Sequence, residues 1–357
     1  MAERLAAERE RHSDDNGGAA AERYSRQVLF PGIGSEGQAA ISRSTVAVVG
    51  CGATGAAVAS ILARAGVGTL RIIDRDYVES SNLQRQFLYD EADARESLPK
   101  AAAAARKIAA FNSDVCVQPH VADLIPRNAE ALLLGADVIL DATDNFETRY
   151  LINDVAVKHG IPWIYAAAVA SYCVTMNVVP GETACLQCIF PGGPAGVVET
   201  CDTAGIIGPA VSYVASIEAA ECLKLLVGAR EKLRRSLLSY DVWSNDGAQI
   251  STARAREDCR CCARREFVHL AGEGRAHITL CGRDSVQIHE HERTVDFGEM
   301  ERRLLPHGTV RHNELVLKFW PATSGCELTL FPDGRAIVKG TTDTAVARTL
   351  YARFVGS

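Results

Sequence analysis

The chain has 357 residues, is 47% hydrophobic, and carries 38 Lys and Arg against 44 Asp and Glu. That length admits one large domain plus a small one with a sizeable core, and a net charge of −6 excludes a polybasic footprint for nucleic acid. Any anionic ligand must be held by a few placed cations.

The stretch at 1–20, MAERLAAERERHSDDNGGAA, lacks an apolar signal core and reads as a charged, disordered tail. With no export signal, a cytoplasmic location is expected, where the 12 cysteines stay reduced and metal or catalytic roles outrank disulfides. The folded part opens at ERYSRQVLF, residues 22–30, a short helical or looped segment in which Arg23 and Arg26 suit surface charge.

The organising stretch follows. Val46, Val48 and Val49 form a strand that stops at GCGATG, residues 50–55, and an Ala-rich helix continues to Ala65. A second strand, Leu70 to Ile73, ends in Asp74, about 20 residues beyond the glycines, where a nucleotide-binding βαβ unit carries its ribose-binding acid. Gly50, Gly52 and Gly55 let backbone approach phosphates at a helix N-terminus, whose unpaired N–H groups favour anions. The polar loop DRDYVESSNLQRQFLY at 74–89 then puts Asn82, Arg85 and Gln86 at the carboxyl end of that strand, where ligands sit in open α/β sheets.

Leu98-Pro99-Lys100 starts a helix that runs to about Asn112. Lys100 opposes the helix dipole there, so it is either a solvated surface lysine or a cation whose place is offset by a bound anion. Further strands are expected at 115–119 and 137–140, the latter running into DATDN at 141–145. Asp144 suits either a helix N-cap or a Mg²⁺ ligand, since Mg²⁺ at phosphate sites takes one or two carboxylates. The least charged window, 161–180, holds Pro162 and Asn177 and reads as two buried strands with a turn, not a membrane span.

Cysteine spacing is the second strong signal. Cys185 with Cys188 and Cys259 with Cys262 are two CxxC pairs about seventy residues apart, fit for a closed four-thiolate Zn²⁺ site that clips distant segments. Cys201 lies in a Gly- and Pro-rich loop ahead of a helix over roughly 205–227, as either a small buried residue or a thiol whose thiolate the dipole favours. Cys51, Cys116, Cys173, Cys222, Cys281 and Cys326 read as buried small residues, and Cys261 as a spare thiol. After Cys262 come short alternating runs, a helical patch DFGEMERRLL, a Pro-Asp-Gly hairpin turn and a closing helix DTAVARTLYARF, with His289 and His291 as surface residues. The expected organisation is a tail at 1–20, a Rossmann-like doubly wound, mostly parallel α/β domain with the zinc site at 21–265, and a small α+β domain at 266–357.

RYSRQ at 23–27, GCGATG at 50–55, DRDYVESSNLQRQF at 74–87, PKAAAAA at 99–105, DATDNFETR at 141–149, TCDTAG at 200–205 and both CxxC pairs together resemble the ThiF/MoeB family, bacterial relatives of ubiquitin-activating enzymes. LCGRDSVQI at 280–288 and FPDGRAIVKGT at 331–341 extend the likeness to the longer, bacilli-type members. The resemblance implies ATP-dependent adenylation of the C-terminal glycine of a small ubiquitin-fold sulfur carrier ending in Gly-Gly, ThiS for thiamin thiazole or MoaD for molybdopterin. It also implies Asp74 on the ribose, Arg85 and Lys100 on the triphosphate, Asp144 on Mg²⁺, and Arg26 reaching into the neighbouring subunit of a homodimer. Asn82 and Gln86 belong to the same motif, and the cysteine matching Cys201 links to the carrier terminus during sulfur transfer in ThiF-like members, with a cysteine desulfurase or other sulfur donor as a further partner. Ala53-Thr54 departs from the family's usual Gly-Leu or Gly-Ile, and Ala53 is small enough to keep the phosphate approach.

Two other classes share parts of this pattern. An NAD-dependent oxidoreductase shares the glycine turn, but its fingerprint does not call for two cations and a Mg²⁺ carboxylate around the phosphates. A dead scaffold for a ubiquitin-like partner is opposed by the intact Asp74, Arg85, Lys100 and Asp144.

Overall fold

The computed structural model describes residues 22–192, 201–272, 279–280, 285–288 and 295–356, with only the backbone at 201–202 and 279–280. The 1–20 tail, Cys281, His289 and His291 lie outside the described residues.

A helix α1, Gly34–Arg43, leads into β1, Thr45–Val49, then α2, Ala53–Ala65, and β2, Thr69–Ile73. After a polar loop come α3, Lys100–Phe111, β3, Cys116–His120, α4, Pro126–Leu133, β4, Val138–Asp141, α5, Phe146–His159, and β5, Trp163–Val169. The strands β6, Tyr172–Val178, β7, Ser236–Asp241, and β8, Asp246–Ser251, complete an eight-stranded sheet of order 3-2-1-4-5-6-7-8, with α6, Gly208–Leu226, inserted before β7. The pairs from β3 across to β5 are parallel, and those from β5 to β8 are antiparallel.

Both faces of the sheet are covered, because successive side chains point to opposite sides. Val46, Val48, Leu70, Ile72 and Leu140 bury one face with residues of α2, α3 and α6. Ala47, Val49, Ile73, Ile139 and Trp163 bury the other with α4, α5 and the cysteine-bearing segments. The doubly wound expectation therefore describes the parallel half of the sheet, and the antiparallel β6–β8 extend one side. Cys116 corrects the reading of the lone cysteines as buried: it is exposed on the edge strand β3, and Cys326 is half-buried. No helix among the described residues is long and apolar enough to cross a membrane.

A second sheet of order 11-12-13-14-10-9 follows, with β9 at Thr279–Leu280, β10 at Ser285–Ile288, β11 at Gly308–His312, β12 at Leu317–Pro321, β13 at Glu327–Leu330 and β14 at Ala336–Lys339. All its pairings are antiparallel, and α7, Phe297–Leu304, and α8, Thr344–Phe354, pack their Phe297, Met300, Tyr351 and Phe354 into its core. The Pro-Asp-Gly turn joins β13 to β14 as expected, with Gly334 at φ +83°. Chain near the expected boundary at 265 still belongs with the first sheet: Phe267 and Leu270 pack on its second core, and the N–H groups of His269 and Leu270 donate to Asp154 Oδ2 at 2.9 and 3.2 Å.

Candidate active site

The strand order reverses at β1, whose neighbours are β2 on one side and β4 on the other. Beyond the carboxyl ends of strands at such a switch point, an open α/β sheet leaves a crevice for ligands. A cavity of about 300 Å³ opens there, lined by the ends of β1 (Gly50, Gly52), β2 (Asp74 to Asp76), β3 (Ala122 to Leu124), β4 (Ala142 to Asp144) and β5.

The glycine turn is built for close approach at two positions. A Cβ on Gly50, at φ +86°, would stand 2.6 Å from the Ala142 carbonyl oxygen, and one on Gly55 would stand 1.9 Å from the Gly50 oxygen. Gly55 does not line the cavity. It seats α2 against the turn, so its role is packing, while Gly50 and Gly52 face the space. Cys51, between them, is no nucleophile: burial pushes its thiol up to about 12.

Asp74 accepts the N–H of Cys51 at Oδ2, 2.5 Å, and of Asp76 at Oδ1, 2.6 Å, so one carboxylate holds the glycine turn and the β2 loop together. Burial raises its pKa, opposed by the nearby Lys100. Lys100 lines the cavity at 2% exposure, with Nζ 3.1 Å from Asp76 Oδ2. Arg85 also lines it; its Nη1 donates to Ser81 O at 2.8 Å, and it has no carboxylate partner among the described residues. Gln86 is buried at the same wall, and its Oε1 has no hydrogen-bond partner among the described residues, a buried acceptor that a ligand donor could satisfy.

The structure moves Asn82 from its expected place and removes the N-cap reading of Asp144, while Arg26 stands on the surface as read. Asn82 does not line the cavity; buried, it accepts the Glu79 N–H at 3.2 Å and holds the loop turn that presents Arg85 and Gln86. Arg26 is exposed, on a short helix at Ser25–Val28, and lies outside its own chain's cavity. The N-cap of α5 is Asn145, whose Oδ1 accepts the Thr148 N–H at 2.9 Å, which leaves the exposed Asp144 carboxylate at the cavity with one long contact from Asn145 Nδ2, 3.4 Å.

Several lining groups carried no individual signal in the sequence. Arg75 pairs with Asp123, 3.2 Å, and Arg149 with the fully buried Asp141, 3.1 Å. Arg149 also donates to Thr143 O at 2.5 Å and lies 5.0 and 5.1 Å from the ring centres of Phe146 and Tyr165. It thereby fixes the β4 end that carries Asp144. Arg75 falls within the DRDYVESSNLQRQF stretch and Arg149 within DATDNFETR, which is what the sequence offered for them.

A second cluster lies behind α5. The thiol sulfurs of Cys185, Cys188, Cys259 and Cys262 all lie within 4.8 Å of one another, with neighbours at 3.4 to 3.8 Å. A tetrahedral thiolate site with Zn–S near 2.3 Å has S···S edges of about 3.8 Å, so the donor set could hold such a metal. Cys261 is buried beside it and accepts from Asn153 Nδ2 at 3.1 Å, which gives the spare thiol a structural partner. Cys201 begins a four-residue helical turn, Cys201–Ala204, separate from α6; just after it, Gly205 and Ile207 bond to Ala170 at the β5–β6 turn, and Ile206 lines the cavity.

An α/β fold with a glycine elbow, clustered cations and carboxylates at the switch point, and a four-thiolate clip defines a class of nucleotide-binding proteins. The model of the ThiF family matches residues 24–261, and the chain belongs to that family. It is 44% identical over 341 residues to the sulfur carrier protein ThiS adenylyltransferase of Bacillus subtilis, covering 94% of this chain and 99% of the relative. It is 39% identical over 242 residues to the SAMP-activating enzyme E1 of Haloferax volcanii, covering 68% of this chain and 88% of that one. Escherichia coli MccB, crystallised with ATP, shares the fold with a TM-score of 0.59 at 24% identity over 67% of this chain and 74% of its own.

Proposed function

We propose that this protein is an adenylyltransferase that uses ATP to activate the C-terminal glycine of a small ubiquitin-like sulfur carrier, ThiS, for thiocarboxylate formation in thiamin thiazole synthesis. The observation that carries the reading is the joint lining of one cavity by Gly50, Gly52, Asp74, Arg85, Lys100 and Asp144 in a chain so similar along its length to a ThiS adenylyltransferase. A carboxylate is a poor electrophile; its attack on the α-phosphate of ATP releases pyrophosphate and yields an acyl adenylate with a good leaving group. The nucleophile is already ionised, so no general base is required. The protein's task is positioning and charge neutralisation.

In this reading Gly50 and Gly52 admit the phosphates, Asp74 takes the ribose hydroxyls, Gln86 offers its Oε1 as an acceptor, and Arg85 and Lys100 neutralise the triphosphate. Asp144 fits a Mg²⁺ ligand because it is an exposed hard oxygen donor on the cavity rim; bound Mg²⁺ supplies further neutralisation of the phosphate oxygens. Arg26, outside its own cavity, serves the site of a second copy, so the working unit is a homodimer. Cys185, Cys188, Cys259 and Cys262 hold a structural Zn²⁺ with no open position for substrate. Cys201 is the thiol of the following step: its thiolate attacks the acyl-adenylate carbonyl, the acyl–phosphate bond breaks with release of AMP, and the carrier terminus is held as a thioester ahead of sulfur transfer. The test is ATP–pyrophosphate exchange with each small Gly-Gly-ending protein of the source genome. Exchange with the ThiS-like one is expected, and tight NAD binding without MgATP binding would overturn the reading.

A further inference from the structure

The second sheet is built onto the back wall of the nucleotide cavity. The last ladder bond between β2 and β3 is Asp74 N–H to His120 O, 3.1 Å; beyond it the two chains carry Arg75, Asp76 and Asp123 into the cavity lining without further rungs. Arg335, at the start of β14's approach from the second sheet, stands where those rungs are missing. Its Nη1 donates to Arg75 O at 3.1 Å and its Nη2 reaches Val121 O at 3.5 Å. The residue is fully buried, and its guanidinium stacks 3.9 Å over the Phe331 ring. Its Nε sits 3.7 Å from Asp333 Oδ2, an ion pair too long for a hydrogen bond.

Neighbouring contacts fall on the same two strand ends. Gln287 Nε2 donates to Asp123 Oδ2 at 3.3 Å, the oxygen that also pairs with Arg75. Lys339 Nζ pairs with Glu79 at 2.8 Å, and Tyr77 is buried among Val316, Phe331 and Ile337. One peptide after the carbonyl that Arg335 holds, the Asp76 carboxylate takes Lys100.

We infer that Arg335 is a positioning residue of the nucleotide site: a second-domain guanidinium that clamps the carbonyls of Arg75 and Val121 and thereby sets where Asp74, Asp76 and Lys100 stand. A planar fork with several donors suits two carbonyls from separate strands, and an ammonium offers no such fixed span. The second domain is thus part of the adenylation unit, an inference that rests on the proposed reaction for its kinetic arm only.

The test uses the full chain with Arg335→Lys and Arg335→Gln, and Asn313→Ala as a control that cuts another interdomain tie, Asn313 Nδ2 to Glu96 O at 3.0 Å, away from the strand ends. Hydrogen–deuterium exchange without nucleotide is expected to speed up at residues 75–79 and 121–124 in both Arg335 variants and not in Asn313→Ala. In pyrophosphate exchange, the KM for ATP is expected to rise on the order of tenfold in Arg335→Gln, with a smaller rise in Arg335→Lys. Unchanged deuterium uptake at those segments in folded Arg335 variants, or an equal KM rise in Asn313→Ala, overturns the inference. If the Gln variant does not fold, the Lys variant carries both readouts. Failure of the wild-type chain to exchange pyrophosphate would sink the adenylation reading and leave the deuterium result to decide the positioning role.

Discussion

Lys100 is tied to Asp76 at both ends: its backbone N–H donates to the Asp76 carbonyl at 2.8 Å and its Nζ meets the Asp76 carboxylate at 3.1 Å. A cation at the first position of α3 opposes the helix dipole, and the pairing shows what offsets that penalty within the chain. The lysine is held buried and aligned at the cavity by a carboxylate.

Removing that charge should be felt in catalysis. Lys100→Ala is expected to lower ATP–pyrophosphate exchange on the order of a hundredfold or more, since a preorganised cation at developing charge supplies that much. Asp76→Asn should keep the lysine in place with weaker alignment and lose less. An exchange rate within twofold of wild type for Lys100→Ala would remove it from the triphosphate.

Cys201 separates two steps. Cys201→Ser is expected to leave pyrophosphate exchange intact and to slow thiocarboxylate formation on the carrier, measured by mass spectrometry of the carrier. An unchanged thiocarboxylate yield takes the thiol out of the mechanism.

The four-thiolate cluster ties the segment after β6 to the segment after β8, two stretches that no strand pairing joins directly at the cysteines. Elemental analysis should find stoichiometric zinc, and a strong chelator should lower the unfolding temperature by several degrees or more, because metal binding is coupled to folding. Cys188→Ser should lose the metal and show the lower temperature without chelator. A chelated protein that melts unchanged would refute a structural role.

Glu218 is fully buried on α6, both carboxylate oxygens have no hydrogen-bond partner among the described residues, and burial, with Asp141 nearby, raises its pKa well above the ordinary Glu value. The native state therefore binds a proton that the unfolded chain releases more readily. This group's contribution to stability is whole below the unfolded-state pKa and is lost as pH rises toward the folded one. Glu218→Gln, neutral at every pH, should flatten the fall in urea-unfolding stability from about pH 5 upward. Equal slopes for the two proteins would mean that Glu218 is ionised in the native state.

What could be read from the chain was local. Valines that stop at GCGATG, an acid at the end of the next strand and a proline before a helix act through neighbours in sequence, so short-range stereochemistry dictates the elbow and the succession of strand, turn, helix and strand around it. The CxxC pairs were legible for a similar reason, because two thiols three apart already share one turn and lack only their partners. The pairings Arg75–Asp123, Arg149–Asp141 and Lys100–Asp76, the displacement of Asn82 from the cavity, and the capping of α5 by Asn145 rather than Asp144 had to wait for the folded chain. Charged residues look alike in a linear string, and which cation meets which carboxylate depends on where strand ends converge. Most remote is the grip of Arg335 on Arg75, 260 positions apart: each lies in a stretch of the family likeness, but neither stretch says that they meet, and they do so where Tyr77 packs among Val316, Phe331 and Ile337 of the second sheet.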